Sequence, residues 1–249
     1  MARRIDVNCD IGETPLAWWD SDEPELMRLV TSANVACGGH AGDERSMEMV
    51  CKEARRLGVA VGAQVSYPDR EHFGRREMEI DQLSLERSLH EQFEALDRVA
   101  RAQGVHVSFV KPHGALYNVS RTREDHASAI VGLAAERGVR LVGLADSHTE
   151  RLAAAHGVGF VREWFADRGY MSDGGLAPRS RTDALVTSPD EVRSRVIRAV
   201  RDGVVETVDG ATLTVDFATI CVHSDTPGAT TLLRAVHTGL NALGVVIGH

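Results

Sequence analysis

The chain has 249 residues, 43% of them hydrophobic and 26% charged, with a formal net charge of -8 at pH 7. That composition fits one globular domain with a sizeable core and excludes an intrinsically disordered chain. The acidic balance argues against a nucleic-acid partner, and no apolar run approaches the roughly 20 residues that span a bilayer.

The first residues, Met1-Ala2-Arg3-Arg4-Ile5-Asp6, have a basic start with no apolar stretch behind it, which argues against a secretion signal. Cys9, Cys37, Cys51 and Cys221 show neither CxxC nor disulfide-rich spacing, so reduced thiols in a cytoplasmic protein are expected.

In chain order, strands are predicted at Ile5–Cys9, Ala33–Ala36, Ala60–Ala63, Val107–Val110, Leu141–Leu144, Gly159–Arg162 and Thr219–Val222. Helices fall between them. From Asp43 to Leu57, the residues Met47, Val50, Cys51, Ala54 and Leu57 share one face, and Leu85, Leu89, Phe93, Leu96 and Val99 do the same further on. Ser188-Pro189-Asp190-Glu191 reads as a capping box with proline at the first helical position. Gly-Val recurs at residues 58, 104, 138, 157, 203 and 244, which fits a helix stopped by glycine and a following extended segment. Val205, Thr207 and Val208 before Asp209-Gly210, with Leu213 and Val215 after it, predict a hairpin near 204–217.

This alternation predicts an α/β fold: one domain over 1–249, a single, irregular (β/α) barrel, with an open doubly wound sheet as the alternative. Either architecture gathers the loops after the strands into one crevice, and the polar residues collect there. The strand ends carry Asn8-Cys9-Asp10 with Glu13, Cys37-Gly38-Gly39-His40 with Asp43, Gln64, Lys111-Pro112-His113, Asp146, Glu163 through Arg168, and His223-Ser224-Asp225. Lys111 suits an oxygen gaining negative charge and His113 suits proton transfer near neutral pH. Asp10, His40, His113 and His223 have donors suited to zinc or a related divalent ion, although no close-spaced histidine pair supports one. Arg75, after Phe73-Gly74, suits a carboxylate or phosphate, or a surface ion pair. Asp43 equally suits a helix cap, and Trp18-Trp19 either a ligand stack or a buried lid contact. There is no phosphate-binding loop of the GxxxxGK type, no GxGxxG opening a helix and no GxSxG elbow.

Asn8-Cys9-Asp10-Ile11-Gly12-Glu13, the block from Ser32 to Asp43, and Lys111-Pro112-His113-Gly114-Ala115-Leu116-Tyr117-Asn118 resemble the LamB/YcsF family in order and spacing. Phe73-Gly74-Arg75-Arg76, Phe165-Ala166-Asp167-Arg168 and Cys221-Val222-His223 add to the resemblance. It implies a seven-stranded barrel similar to that of glycoside hydrolases and polysaccharide deacetylases. It also implies one component of an ATP-dependent 5-oxoprolinase, opening the lactam of 5-oxo-L-proline to L-glutamate with subunits B and C as partners and ATP as co-substrate. By the same resemblance Asp10, Glu13, Lys111 and His113 are candidate catalytic residues. Asn34, His40, Asp43, Arg75, Asn118, His223 and Asp225 are candidate substrate-binding residues, and Asp10, His40 and His113 would hold a metal if one binds. Many relatives read Ala-His-Pro-Gly-Tyr after the third strand where this chain has Ala63-Gln64-Val65-Ser66-Tyr67, so any proton relay by a histidine there is lost. Ser224 stands where glycine is common. Two competing readings are a metal-dependent hydrolase or deacetylase of a carbohydrate-like amide, and a substrate-binding subunit without chemistry of its own.

Overall fold

The computed structural model describes residues 3–14 and 16–249; Met1 and Ala2, part of the segment read for a secretion signal, lie outside them. The barrel begins with β1 (Arg4–Ile11), β2 (Ser32–Ala36), β3 (Ala60–Val65), β4 (Val107–Pro112), β5 (Arg140–Leu144) and β6 (Phe160–Phe165). After an antiparallel hairpin of β7 (Val204–Glu206) and β8 (Thr212–Thr214), β9 (Thr219–Val222) completes it. Each barrel strand runs parallel to its neighbours, and β9 pairs with β6 on one side and β1 on the other. That double pairing closes the ring at seven strands and rules out the open sheet. A short β10 (Val246–Ile247), not foreseen from the sequence, pairs with Arg4 and Ile5 on the stretch of β1 that precedes its pairing with β9.

Around the barrel lie α1 (Glu23–Leu29), α2 (Glu44–Leu57), α3 (Gln82–Ala102), α4 (Gly114–Val119), α5 (Glu124–Arg137), α6 (His148–Ala155), α7 (Pro189–Asp202) and α8 (Ala229–Ala242). The predicted faces of α2 and α3 are the buried ones, and fully burying a leucine such as Leu89 stabilises the fold by about 1.5–3 kcal/mol. All six Gly-Val glycines have φ between 65° and 73°, the left-handed conformation that ends a helix without a Cβ clash. The box expected at Ser188 is only half made: its side chain accepts from the Glu191 N–H, and the Glu191 side chain does not return a bond to the Ser188 N–H. The complete box sits on α2, where Asp43 accepts from Ser46 N–H and the Ser46 side chain accepts from Asp43 N–H.

Strand alternation sorts β1 into two faces. Ile5, Val7, Cys9 and Ile11 belong to the apolar layer between sheet and helices. Asp6, Asn8 and Asp10 point to the barrel axis and build a polar column there. Thr219 Oγ1 donates to Asp6, Asn8 Nδ2 donates to Thr219 Oγ1 at 2.7 Å, and Asn34 Nδ2 donates to Asn8 at 2.8 Å and to Asp10 at 2.9 Å. The column leads upward to the C-terminal strand ends. Among the described residues, no helix is long and apolar enough to cross a membrane.

Candidate active site

A cavity of about 610 Å³ opens at the C-terminal mouth of the barrel. Asp10 from β1, Lys111 from β4 and His113 just after it, with His223 after β9, line it, and Arg75, Arg121, Arg168 and Arg179 supply further positive charge.

Lys111 is buried at the centre. Its Nζ lies 2.9 Å from Glu163 Oε1, 3.3 Å from Asp10 Oδ1 and Asn8 Oδ1, and 3.2 Å from Cys221 Sγ. Burial works against its charge, but Asp10, Cys221 and Glu163 outweigh that and hold its pKa well above the ordinary lysine range. Lys111 is therefore a permanent cation with its donors already engaged. Burial likewise opposes ionisation of Asp10, yet the Lys111 cation, helped by the hydrogen bond from Asn34, holds its carboxyl well below the usual range. Asn34 and Lys111 both bind Oδ1, which leaves Oδ2 as the oxygen turned toward His113, 3.9 Å away.

On the β1–β4 side, a second cluster is closed on itself. Glu13 Oε1 accepts from His40 Nε2 at 2.9 Å and from Gln64 Nε2 at 2.9 Å, while Gln64 Nε2 also lies 2.9 Å from His113 Nδ1. Since the amide is a donor, His113 Nδ1 must accept, and the ring carries its proton on Nε2, 3.2 Å from the Phe73 carbonyl. Burial and then the neighbouring His40 push His113 well below the ordinary imidazole range, so it is neutral. The rings of His40 and His113 stack at 3.7 Å and 5°. Phe73 meets both edge-on and holds a left-handed φ of 57°, unusual for so bulky a residue. Gly114 must be glycine, because a Cβ there would come within 2.4 Å of the Gly74 carbonyl oxygen. Ser224, where glycine was expected, donates to Glu13 Oε2 at 3.1 Å.

Among the described residues, Glu13, His40 and His113 are the one group whose donor atoms gather closely enough for a metal ion. They do not fit one. The lone pairs of parallel stacked rings run side by side rather than converging at the roughly 2.1 Å a metal needs, and the Gln64 amide directs its hydrogens at two of the three atoms. Asp10, expected in such a set with His40 and His113, bonds instead to Asn34 and Lys111.

The β6–β9 side is open. Asp167 accepts from His223 Nδ1 at 3.1 Å, from the His223 backbone N–H at 3.1 Å and from Thr226 Oγ1 at 2.6 Å. Burial alone would raise the Asp167 carboxyl, but His223 and Thr226 hold it low and ionised. With Nδ1–H given to Asp167, His223 presents an Nε2 that bonds to none of the described residues, and the ring stacks on Phe165 at 4.9 Å while lining the cavity. This is an imidazole fixed in the tautomer of a general base.

The predicted residues thus divide. Asp10, Lys111, His113, Arg75, Asn118 and His223 line the cavity. Glu13 and His40 lie behind His113 in the closed cluster, and Asn34 sits beneath Asp10 on the axis, so these three do not face a substrate in the cavity. Asp43 is exposed and caps α2, a helix role in place of the expected binding role. Asp225 pairs with Arg75 and Arg179 at the rim. Trp18 is buried and Trp19 exposed, and neither lines the cavity. Asp167 and Arg179 were missed as site residues. Asp167 had a signal in its place at the sixth strand end, whereas Arg179, in the long segment between β6 and α7, had none.

A closed parallel β/α barrel with a buried lysine–carboxylate centre and an aspartate-oriented histidine at its C-terminal mouth defines an enzyme of the acid–base hydrolytic class. The chain belongs to the LamB/YcsF family, which matches residues 5–249. Among relatives named as the A subunit of 5-oxoprolinase, that of Streptomyces avermitilis is 44% identical over 243 residues, spanning 97% of each chain. That of Chloroflexus aggregans is 43% identical over 245 residues, covering 98% of this chain and 97% of its own. The crystal structure of a lactam utilization protein from Thermus thermophilus superposes with a TM-score of 0.90 at 36% identity, over 98% of this chain and 99% of that one.

Proposed function

We propose that this chain is the A subunit of an ATP-dependent 5-oxoprolinase, contributing the hydrolytic site that opens 5-oxo-L-proline to L-glutamate. The observation that carries the reading is the Asp167–His223 pair aimed into a cationic cavity, in a chain whose full-length relatives bear that name. A five-membered lactam is a poor electrophile, which gives ATP its place: phosphorylation of the lactam oxygen activates the ring carbon. The B and C subunits, as partners, complete the assembly that uses ATP.

In the chemistry that follows, His223 Nε2 takes a proton from water as the oxygen adds to the activated carbon. The ring C–N bond then breaks as the nitrogen takes up a proton, leaving an amine and an acyl phosphate. A second water releases phosphate and glutamate. Asp10, kept ionised by Lys111, holds the attacking water or the ring N–H through Oδ2. Lys111 acts by securing Asp10 and Glu163 rather than by direct contact with the developing oxyanion, because its donors are already taken.

The stacked histidines count against the metal-dependent hydrolase reading. The test is reconstitution of the chain with candidate B and C subunits, 5-oxoproline and ATP. Glutamate formed by the full set and lost with His223→Asn supports the catalytic reading. Full activity in that variant would leave the chain a substrate-binding component, and activity that needs a stoichiometric metal but no ATP would overturn the proposal.

A further inference from the structure

Asp225 is held in an unusual way for a residue at a cavity rim. Its carboxylate is bound by Arg75 Nη2 on one side and by both terminal nitrogens of Arg179 on the other, at 3.3 and 3.4 Å. Arg75 and Arg179 line the cavity, and Asp225 does not. The two arginines come from different directions: Arg75 from the loop after β3, its guanidinium 4.8 Å over the Phe73 ring, and Arg179 from the segment between β6 and α7. Asp225 itself lies two residues beyond His223, on the same loop. Burial would raise its carboxyl, but Arg179 and Arg75 keep it ionised.

A carboxylate shared by two guanidinium groups is the geometry of an anion seat already filled from within. We infer that Arg75 and Arg179 form a phosphoryl-binding seat which Asp225 occupies until the phosphorylated substrate displaces it. This deepens the proposed function and rests on it for the identity of the ligand, although the seat itself rests on geometry alone. A phosphoryl dianion offers three oxygens to two forks, where Asp225 offers two, so it competes on charge and on hydrogen bonds. Displacement releases the Asp225 side chain from the rim, while His223 keeps its own anchors on Asp167 through the ring and the backbone N–H.

The test is titration calorimetry of the full chain with inorganic phosphate, with acetate as the single-charge comparison, at fixed ionic strength. Asp225→Asn removes the resident anion and keeps the side-chain shape. Phosphate binding should tighten by roughly tenfold or more, because the apparent affinity rises as the competent fraction does. Adding Arg179→Ala to that variant should abolish the gain, and acetate should gain less than phosphate. A thermal melt checks that each variant is folded. Unchanged or weaker phosphate binding in Asp225→Asn would overturn the seat, as would a gain that survives Arg179→Ala. An equal gain for acetate would overturn the phosphoryl assignment. None of these readouts depends on turnover, so failure of the reconstituted reaction would strike the proposed function and leave the seat standing.

Discussion

The two sides of the barrel mouth use the same residue types for opposite ends. On the β1–β4 side, Glu13, His40, Gln64 and His113 bond to one another, and the His113 proton is given to a backbone carbonyl. On the β6–β9 side, Asp167 takes one nitrogen of His223 and leaves the other free at the cavity. A histidine beside a carboxylate is therefore not by itself a catalytic pair. What matters is whether the second nitrogen is engaged, and by this measure His113 supports the wall while His223 is ready to act.

The largest effect expected from this contrast is on turnover. His223→Asn should lower kcat of the reconstituted enzyme by about 10²–10⁴-fold with KM little changed, and Asp167→Asn should act in the same direction through the tautomer. If His113→Asn instead matched that loss while His223→Asn was mild, the two sides would have been assigned the wrong way round. Next in size is Lys111→Met, which leaves Asp10 and Glu163 buried without their cation. It should cost about 3–5 kcal/mol of stability, measured by denaturant unfolding.

Gln64→Ala removes the donor that joins Glu13 to His113 and should cost about 1–3 kcal/mol. A cost near zero would show that the wall does not depend on its amide. The smallest effect is a pH slope. The depressed pKa of His113 means that the unfolded chain takes up a proton that the folded one refuses. Its contribution is therefore complete above the unfolded imidazole value of about 6.5 and is lost as pH falls toward the folded value, by at most about 1.4 kcal/mol per pH unit. His113→Gln should flatten stability measured between pH 7 and 5. Asp10 has the same sign further down: its contribution is complete above about pH 3.9 and is lost in stronger acid.

Much of the fold was legible because it is written locally. Six glycines after helices, apolar faces at helical spacing and seven apolar strands are each decided within a few residues, and the structure forms all of them. The short β10 escaped notice because two residues carry no periodicity. The site was legible as a place, since strand ends converge in any barrel, but not as an assignment of roles. Nothing in Lys-Pro-His or Val-His shows which imidazole nitrogen will meet a donor and which a carboxylate. That depends on Gln64 and Asp167, 49 residues and 56 residues away along the chain. Asn34 shows the limit from another direction. It lies in a block that the family resemblance picked out, yet strand alternation sends it into the axis, where it braces Asp10 from below.

Phe73 carries a consequence for anyone wishing to make this protein hardier. A bulky residue held at φ 57° costs on the order of 1–3 kcal/mol, and selection for heat tolerance alone would favour glycine at that position. The substitution would also take away the aromatic wedge that meets both stacked imidazoles and the platform under Arg75. Ruggedness and competence are thus opposed at a single backbone angle, and a more durable version of this barrel would have to find its gains elsewhere.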